Sequence, residues 1–351
     1  MKILENIESA LSKDLPFVIY KTPNSDFLQA FFQEDVVVHY SQDYSESGFI
    51  FAPFNSENKA VLFPEKNSVM QQERITFDVN FQEPQKVLEN KSQKEFHIGL
   101  VSDAVDAIKD NQFLKLVMSR AEEVLLEDGF SEIATFKKLV QKYPTAFVYF
   151  WHHPKIGKWM GATPETLVAT KNKDYRTMSL AGTQVYQENI SPSWSSKEVE
   201  EQYIVTDFIK SKLESLSEEL SISELETIRI GGLLHLRTTV KGKMKNTVSD
   251  IINVLHPTPA VCGLPKESAK QFILEKEGYD REFYTGFLGE LNLNTNTEII
   301  ESNLFVNLRC MQLHTNFTAK IYVGGGITKD SVPEKEWLET VQKSGAMKSV
   351  L

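Results

Sequence analysis

Two kinds of hydrophobic periodicity alternate along this chain, and their interleaving limits the folds open to it. Between Glu95 and Asp110 the apolar residues Ile98, Val101, Ala104, Val105 and Ile108 recur at helical spacing. The stretch LKLVMSRAEEVLL that follows alternates as a strand does, which puts Lys115 near a helix-to-strand junction. The same reading predicts strands over 146–151, 166–169, 228–240 and 304–314, and helices over 130–142, 197–213, 266–277 and 332–343. Residues 1 to about 90 mix short apolar strands, such as FIFAPF at 49–54, with polar turns. Helices interleaved with long antiparallel hairpins point to a mixed α/β or α+β domain rather than a doubly wound parallel sheet.

The bulk numbers narrow the function. At 351 residues, 41% hydrophobic and 25% charged, the chain can bury a sizeable core. A net charge of −10, with no run of Lys or Arg, argues against nucleic acid or an anionic membrane as the partner. The N-terminus lacks a basic stretch leading into an apolar core, and no segment is long enough to span a bilayer, so a cytoplasmic location is expected. Two cysteines, Cys262 and Cys310, exclude a disulfide scaffold and a four-thiolate zinc site, and both read as inert core residues.

Two acidic helices stand out. In SVPEKEWLETVQK, Ser331 is a candidate N-cap with Glu334 as its capping-box partner, and Pro333 suits the first turn. Glu336, Glu339 and Lys343 then share one helix face. In KEVEEQYIVTDFIKSKL, Glu198, Glu201, Val205 and Phe208 form a stripe that mixes carboxylates with apolar residues, and a carboxylate drawn into a buried face needs a compensating cation. Carboxylates from two helices, with no His or Cys cluster, suit a hard ion such as Mg2+ better than zinc. Taken by themselves, two ordinary solvated helix faces account for these patterns slightly better.

Loops carry the remaining candidates. In LHPTPAVCGLP two prolines hold the backbone beside His256. GATPETLV places Glu165 at a strand edge, SLAGT offers a tight turn at Ala181 and Gly182, and the glycines of GGGITKDS allow close backbone approach to an anion.

Taken in order, KLVMSR, GATPE, LAGT, KEVEEQ, LHPTPAVCG, REFYTGFLG, LRC, GGGI and SVPEKEWLET resemble the chorismate-utilising enzymes, which include isochorismate, salicylate, anthranilate and aminodeoxychorismate synthases. The resemblance runs from about Gln112 to the C-terminus, and residues 1–95 match only loosely. It implies one large chorismate-binding domain over 1–351, with two stacked, largely antiparallel sheets flanked by helices and a central cleft. It further implies Glu201 and Glu339 as direct Mg2+ ligands, with Glu198 and Glu336 in a water-mediated shell. Arg309, assisted by the Gly324 and Gly325 amides, would take the enolpyruvyl carboxylate. Leu180, Ala181, Gly182, Thr183, His256, Tyr322 and Lys343 complete the substrate-binding set that it implies.

Within the family, a lysine at the position of Lys115 implies water activation, as in isochorismate and salicylate synthases. No lysine stands at Leu180 or Ala181, where aminodeoxychorismate synthases carry a nucleophile, so no glutamine amidotransferase subunit is expected. The implied activity is Mg2+-dependent isomerisation of chorismate to isochorismate, for menaquinone or siderophore synthesis. Lys115 would be the base and Glu165 the acid that protonates the leaving C4 hydroxyl. Two alternatives are a salicylate synthase, which goes on to eliminate pyruvate, and a non-catalytic relative. A monomer is the expected state.

Overall fold

The structure, a computed structural model, describes residues 1–79, 90–188, 191–294 and 298–351. Its strands form two sheets. One runs, edge to edge, Gly263–Leu264, Lys115–Leu125, Thr318–Ile327, Cys310–Leu313, Gly157–Thr163, Phe147–His153, Phe17–Lys21, Phe27–Gln33 and Ser68–Arg74. The other runs Ser217–Ile222, Leu233–Met244, Asp174–Val185, Thr166–Lys171, Ile300–Val306, Phe287–Asn294, Gly48–Ala52, Val61–Pro64 and His39–Tyr40, with Glu226–Ile230 also pairing to Leu233–Met244. Every pairing among the described residues is antiparallel, as the hairpin-rich sequence predicts.

The period-two alternation decides how the sheets stack. In Phe17–Lys21, Val18 and Tyr20 point inward to an aromatic layer shared with Phe49, Phe51 and Phe63 of the other sheet, while Phe17 and Ile19 pack outward. Rings meet across that layer: Phe147 stacks on Phe305 at 4.2 Å between centroids, and Phe51 meets Trp151 edge-on at 5.3 Å. Such contacts are worth about 0.5–1.5 kcal/mol each beyond area burial and fix how one sheet sits on the other. Helices Lys2–Ser12 and Glu132–Lys142 cover one outer face, and Ser196–Glu214 with Val248–Leu255 cover the other. Strands from residues 17–74 complete both sheets, although this region carries few of the motifs. No described helix is long and apolar enough to cross a membrane.

Three local expectations need correction. The predicted strand over 304–314 is two strands in different sheets, Ile300–Val306 and Cys310–Leu313. Buried Asn307 breaks it: its amide reaches Gly286 O at 2.8 Å and its side chain joins Phe283 O and the Tyr149 hydroxyl, leaving Arg309 at φ 45° in the crossover. The strand expected over 228–240 is a hairpin, Glu226–Ile230 and Leu233–Met244, turned at Gly231 with φ 59°. The last helix is Pro333–Lys348 and starts after Val332, because the Ser331 hydroxyl accepts from the Thr328 amide instead of capping it. The capping box belongs to the other acidic helix, Ser196–Glu214, formed by Ser195 and Glu198.

Candidate active site

A cleft opens between the Thr318–Ile327 strand of one sheet and the Asp174–Val185 and Leu233–Met244 strands of the other, beside helices Ser196–Glu214 and Pro333–Lys348. Its empty space, counted out into the open mouth, is about 740 Å³. Glu165, Leu180, Ala181, Gly182, Thr183, Glu201, Arg309, Tyr322, Gly324, Gly325, Glu339 and Lys343 line it.

Lys115, fully buried at the start of its strand, reaches Glu201 with Nζ 2.8 Å from Oε1, and no hydrogen bond of good geometry holds the ammonium. This contact requires a glycine opposite: a Cβ on Gly326 would lie 2.0 Å from Glu201 Oε1 and 3.0 Å from Lys115 Cε. Next to it, the bulge between Ala181 and Thr183 lets Gly182 adopt φ 59°. Buried Gln202 pins that turn to the helix, accepting from the Ala181 amide at 2.9 Å and donating to Ser179 and Thr238.

Glu339 and Glu336 are each held by a lysine. Glu339 pairs with Lys343 at 2.6 Å, and Lys343 also donates to Gly324 O at 3.0 Å. Glu336 pairs with Lys197 at 2.6 Å, leaving its Oε2 buried without a hydrogen-bond partner. Both carboxylates face Gly325, 3.6 Å from where its Cβ would be. Glu198 packs under Gly182, and one of its oxygens closes the capping box with Ser195. Among the described residues, no three His, Cys, Asp or Glu side chains are already gathered as a metal site.

Burial and charge tune these groups in different directions. Burial pushes the Glu165 carboxyl up to about 7, against the pull of Lys115, Arg309 and Lys343. Burial and the neighbouring Glu339 raise Glu336, against the pull of Lys197. Burial also works to raise Glu339, but Lys343, Lys197 and Arg309 outweigh it and hold that carboxyl below the usual range.

The sequence model described as chorismate binding enzyme matches residues 52–351. The chain belongs to the chorismate binding enzyme family. This chorismate binding enzyme is 29% identical over 283 residues to the vibriobactin-specific isochorismate synthase of Vibrio cholerae, covering 76% of the chain and 68% of that relative. It is 27% identical over 262 residues to the isochorismate synthase MenF of Escherichia coli, covering 72% of the chain but spanning only 59% of that relative's length. The solved structure of the menaquinone-specific isochorismate synthase from Escherichia coli superposes with a TM-score of 0.80 over 96% of this chain and 88% of that one, at 19% identity. At that identity the match shows a shared fold. The family match begins at residue 52, well before the loosely matching region was expected to end.

Four expected residues fall outside the lining: Lys115, Glu198 and Glu336 lie directly behind it, against Glu201, Gly182 and Gly325, whereas His256 lies elsewhere. His256 does not line the cleft; its Nε2 sits 3.0 Å from Pro53 O and its ring packs edge-on against Phe287. The loop that it opens reaches the cleft further on, at Ala260 and Val261. Tyr322 does line the cleft, with its hydroxyl engaged by Gln312 at 3.1 Å.

His235 is the histidine of the site, and sequence reasoning missed it. Its Nδ1 lies 3.1 Å from Gly182 O and 3.2 Å from Thr183 Oγ1, while Nε2 is buried and unpartnered. Burial, with Arg309 and Lys343, lowers it to about 3, so the ring is neutral. The available signal was its place in LLHLRTTV, the alternating strand paired with the SLAGT strand.

Proposed function

We propose that this protein isomerises chorismate to isochorismate, with Mg2+ as cofactor. The observation that carries the reading is a single cleft where Glu165, its carboxyl pushed up to about 7, shares the lining with Arg309 and Lys343, cations suited to a dicarboxylate, while buried Lys115 pairs with Glu201 of the same lining. The names of the relatives from Vibrio cholerae and Escherichia coli support the same activity.

In its neutral amine form, Lys115 accepts a proton from a water molecule as that water's oxygen bonds to C2 of the ring. The ring double bonds shift, the C4–oxygen bond breaks, and Glu165 gives its proton to the departing hydroxyl. One water enters and one leaves, so the product is an isomer, and proton exchange with solvent resets the two side chains. An acid near pH 7 is well matched to that task, and positioned acid-base groups are each worth about 10²–10⁴-fold. Arg309 offers a planar fork for the enolpyruvyl carboxylate, flanked by Gly324 and Gly325.

The donor set fits a hard divalent cation: all-carboxylate, with a buried Glu336 oxygen lacking a hydrogen-bond partner. Glu201 and Glu339 would hold Mg2+ directly, and Glu198 and Glu336 through water. When bound, the ion would neutralise a substrate carboxylate and fix the ring's orientation. Because water is the nucleophile, the enzyme acts without a glutamine amidotransferase subunit, and we take it as a cytoplasmic monomer.

The test is a product assay with chorismate, with and without Mg2+. Isochorismate alone, dependent on Mg2+ and reduced ~10²-fold or more in Lys115→Ala and Glu165→Gln, is the expected result. Salicylate with pyruvate would move the assignment to a salicylate synthase. No turnover by the wild type would remove it.

A further inference from the structure

Behind the cleft wall lies a buried pair that the reaction as written does not use. Arg281 is 1% exposed and commits all five of its N–H donors. Two go to Glu277, from Nε at 2.7 Å and Nη2 at 2.5 Å. The others go to Val117 O at 2.8 Å, Val261 O at 2.8 Å and Thr285 Oγ1 at 3.2 Å. Glu277 in turn accepts from the Ser119 amide at 2.7 Å and the Ser119 hydroxyl at 2.8 Å.

Val117, Val261 and Thr285 all line the cleft, yet they come from a strand, a loop and a turn far apart in sequence. The guanidinium ties the three together from the rear, satisfying two carbonyls that the wall would otherwise bury unpaired. Val117 and Ser119 sit two and four residues along the strand that begins at Lys115, so they share its face. Only a planar fork of five donors spans these partners at once; an ammonium on a flexible stem does not.

We propose that Arg281, oriented by Glu277, is the positioning residue that fixes the reach of Lys115 into the cleft. This deepens the isochorismate synthase reading and rests on it. Locking the strand to the Val261 loop and to Thr285 holds the Lys115 ammonium against Glu201, and a displacement of about 1 Å at a reacting group lowers turnover ~10²-fold.

The experiment compares wild type, Arg281→Lys and Ser119→Ala, the last removing one link to Glu277 from a side chain that does not line the cleft. Steady-state kinetics on chorismate are combined with the rate at which an amine-reactive reagent labels Lys115 in the unligated protein, read by peptide mass. Expected are kcat reduced ~10²-fold in Arg281→Lys and roughly 5-fold in Ser119→Ala, KM within about 3-fold of wild type, and Lys115 labelling altered in the same order. Should Arg281→Lys fail to fold, Ser119→Ala alone decides. Variants that melt earlier but keep wild-type kcat and labelling below the transition would overturn the proposal and mark the pair as structural. If the wild type itself does not convert chorismate, the functional reading falls, and the Lys115 labelling alone judges Arg281: unchanged labelling overturns it.

Discussion

Lys115 and Glu201 form an ion pair at 2.8 Å in which the ammonium side chain is 1% exposed and the carboxylate 12%. The two come from different layers, the first residue of a sheet strand and the second turn of a covering helix, so the contact joins scaffold and roof at the chemical centre.

Removing one partner leaves an uncompensated charge inside the protein. Glu201→Gln is expected to lower unfolding free energy by about 3–5 kcal/mol, and the double variant Lys115→Met/Glu201→Gln by clearly less. Denaturant titration of the wild type and these two variants measures this. A Glu201→Gln variant with an unchanged midpoint would mean that the pair does not form in solution.

Glu165 gives stability a definite pH dependence. Its carboxyl ionises near 4.5 when unfolded and near 7 when folded, so between those values the folded protein binds more protons. The contribution of Glu165 to stability therefore falls as pH rises through that window, by about 3 kcal/mol in total, and reads out as the pH-dependent difference between wild type and Glu165→Gln. Turnover follows the same proton, declining above about pH 7 with single-proton slope. Glu165→Gln should remove that contribution and lower activity ~10²-fold or more, and the stabilities of the two proteins from melting curves across pH should differ most in slope between about pH 4.5 and 7.

His235 is set up to accept. Gly182 O has no proton to give, so Nδ1 must donate to it, which leaves Nε2 with a buried lone pair at the cleft. His235→Phe is expected to raise KM for chorismate roughly 3–10-fold with a small effect on the melting temperature, the worth of one hydrogen bond. An unchanged KM would mean that no substrate donor meets this nitrogen.

Binding of Mg2+ should be visible without turnover. A ligand of the folded state alone stabilises by about 2.7 kcal/mol at about 100 times its Kd. Titrating the wild type with Mg2+ should thus raise its melting temperature, and Glu339→Gln should blunt the rise. Indifference of the wild type to Mg2+ would count against the metal assignment.

Much of this site was legible because its chemistry sits in regular elements. Glu336, Glu339 and Lys343 keep their spacing on Pro333–Lys348, and Glu201, Val205 and Phe208 are buried on Ser196–Glu214, as their stripe implied. What escaped depends on partners distant in sequence. Nothing local to Leu304–His314 announces that Asn307 will bond Gly286, Phe283 and Tyr149, so the crossover that delivers Arg309 reads as unbroken strand. His256 stands out in the sequence and His235 does not for a similar reason. A proline-braced loop looks functional, whereas a histidine inside an alternating strand looks structural, and only the sheet pairing shows which faces the cleft.

Gly326 is the most sensitive test of how closely the centre is built. Its backbone lies where any side chain would run into the ion pair, with a Cβ 2.0 Å from Glu201 Oε1 and 3.0 Å from Lys115 Cε. Glu201 would have to swing away, because its carboxylate end is the flexible partner while the strand carrying Gly326 is paired residue for residue with residues 116–125. Gly326→Ala is therefore expected to destabilise by about 1–3 kcal/mol through crowding, and to lose activity by a larger factor than that instability explains. The two effects separate at a temperature well below the melting transition, where the variant remains folded. Near-normal kcat there would mean that Glu201 can leave Lys115 without consequence, and that the ion pair has no part in positioning the reacting groups.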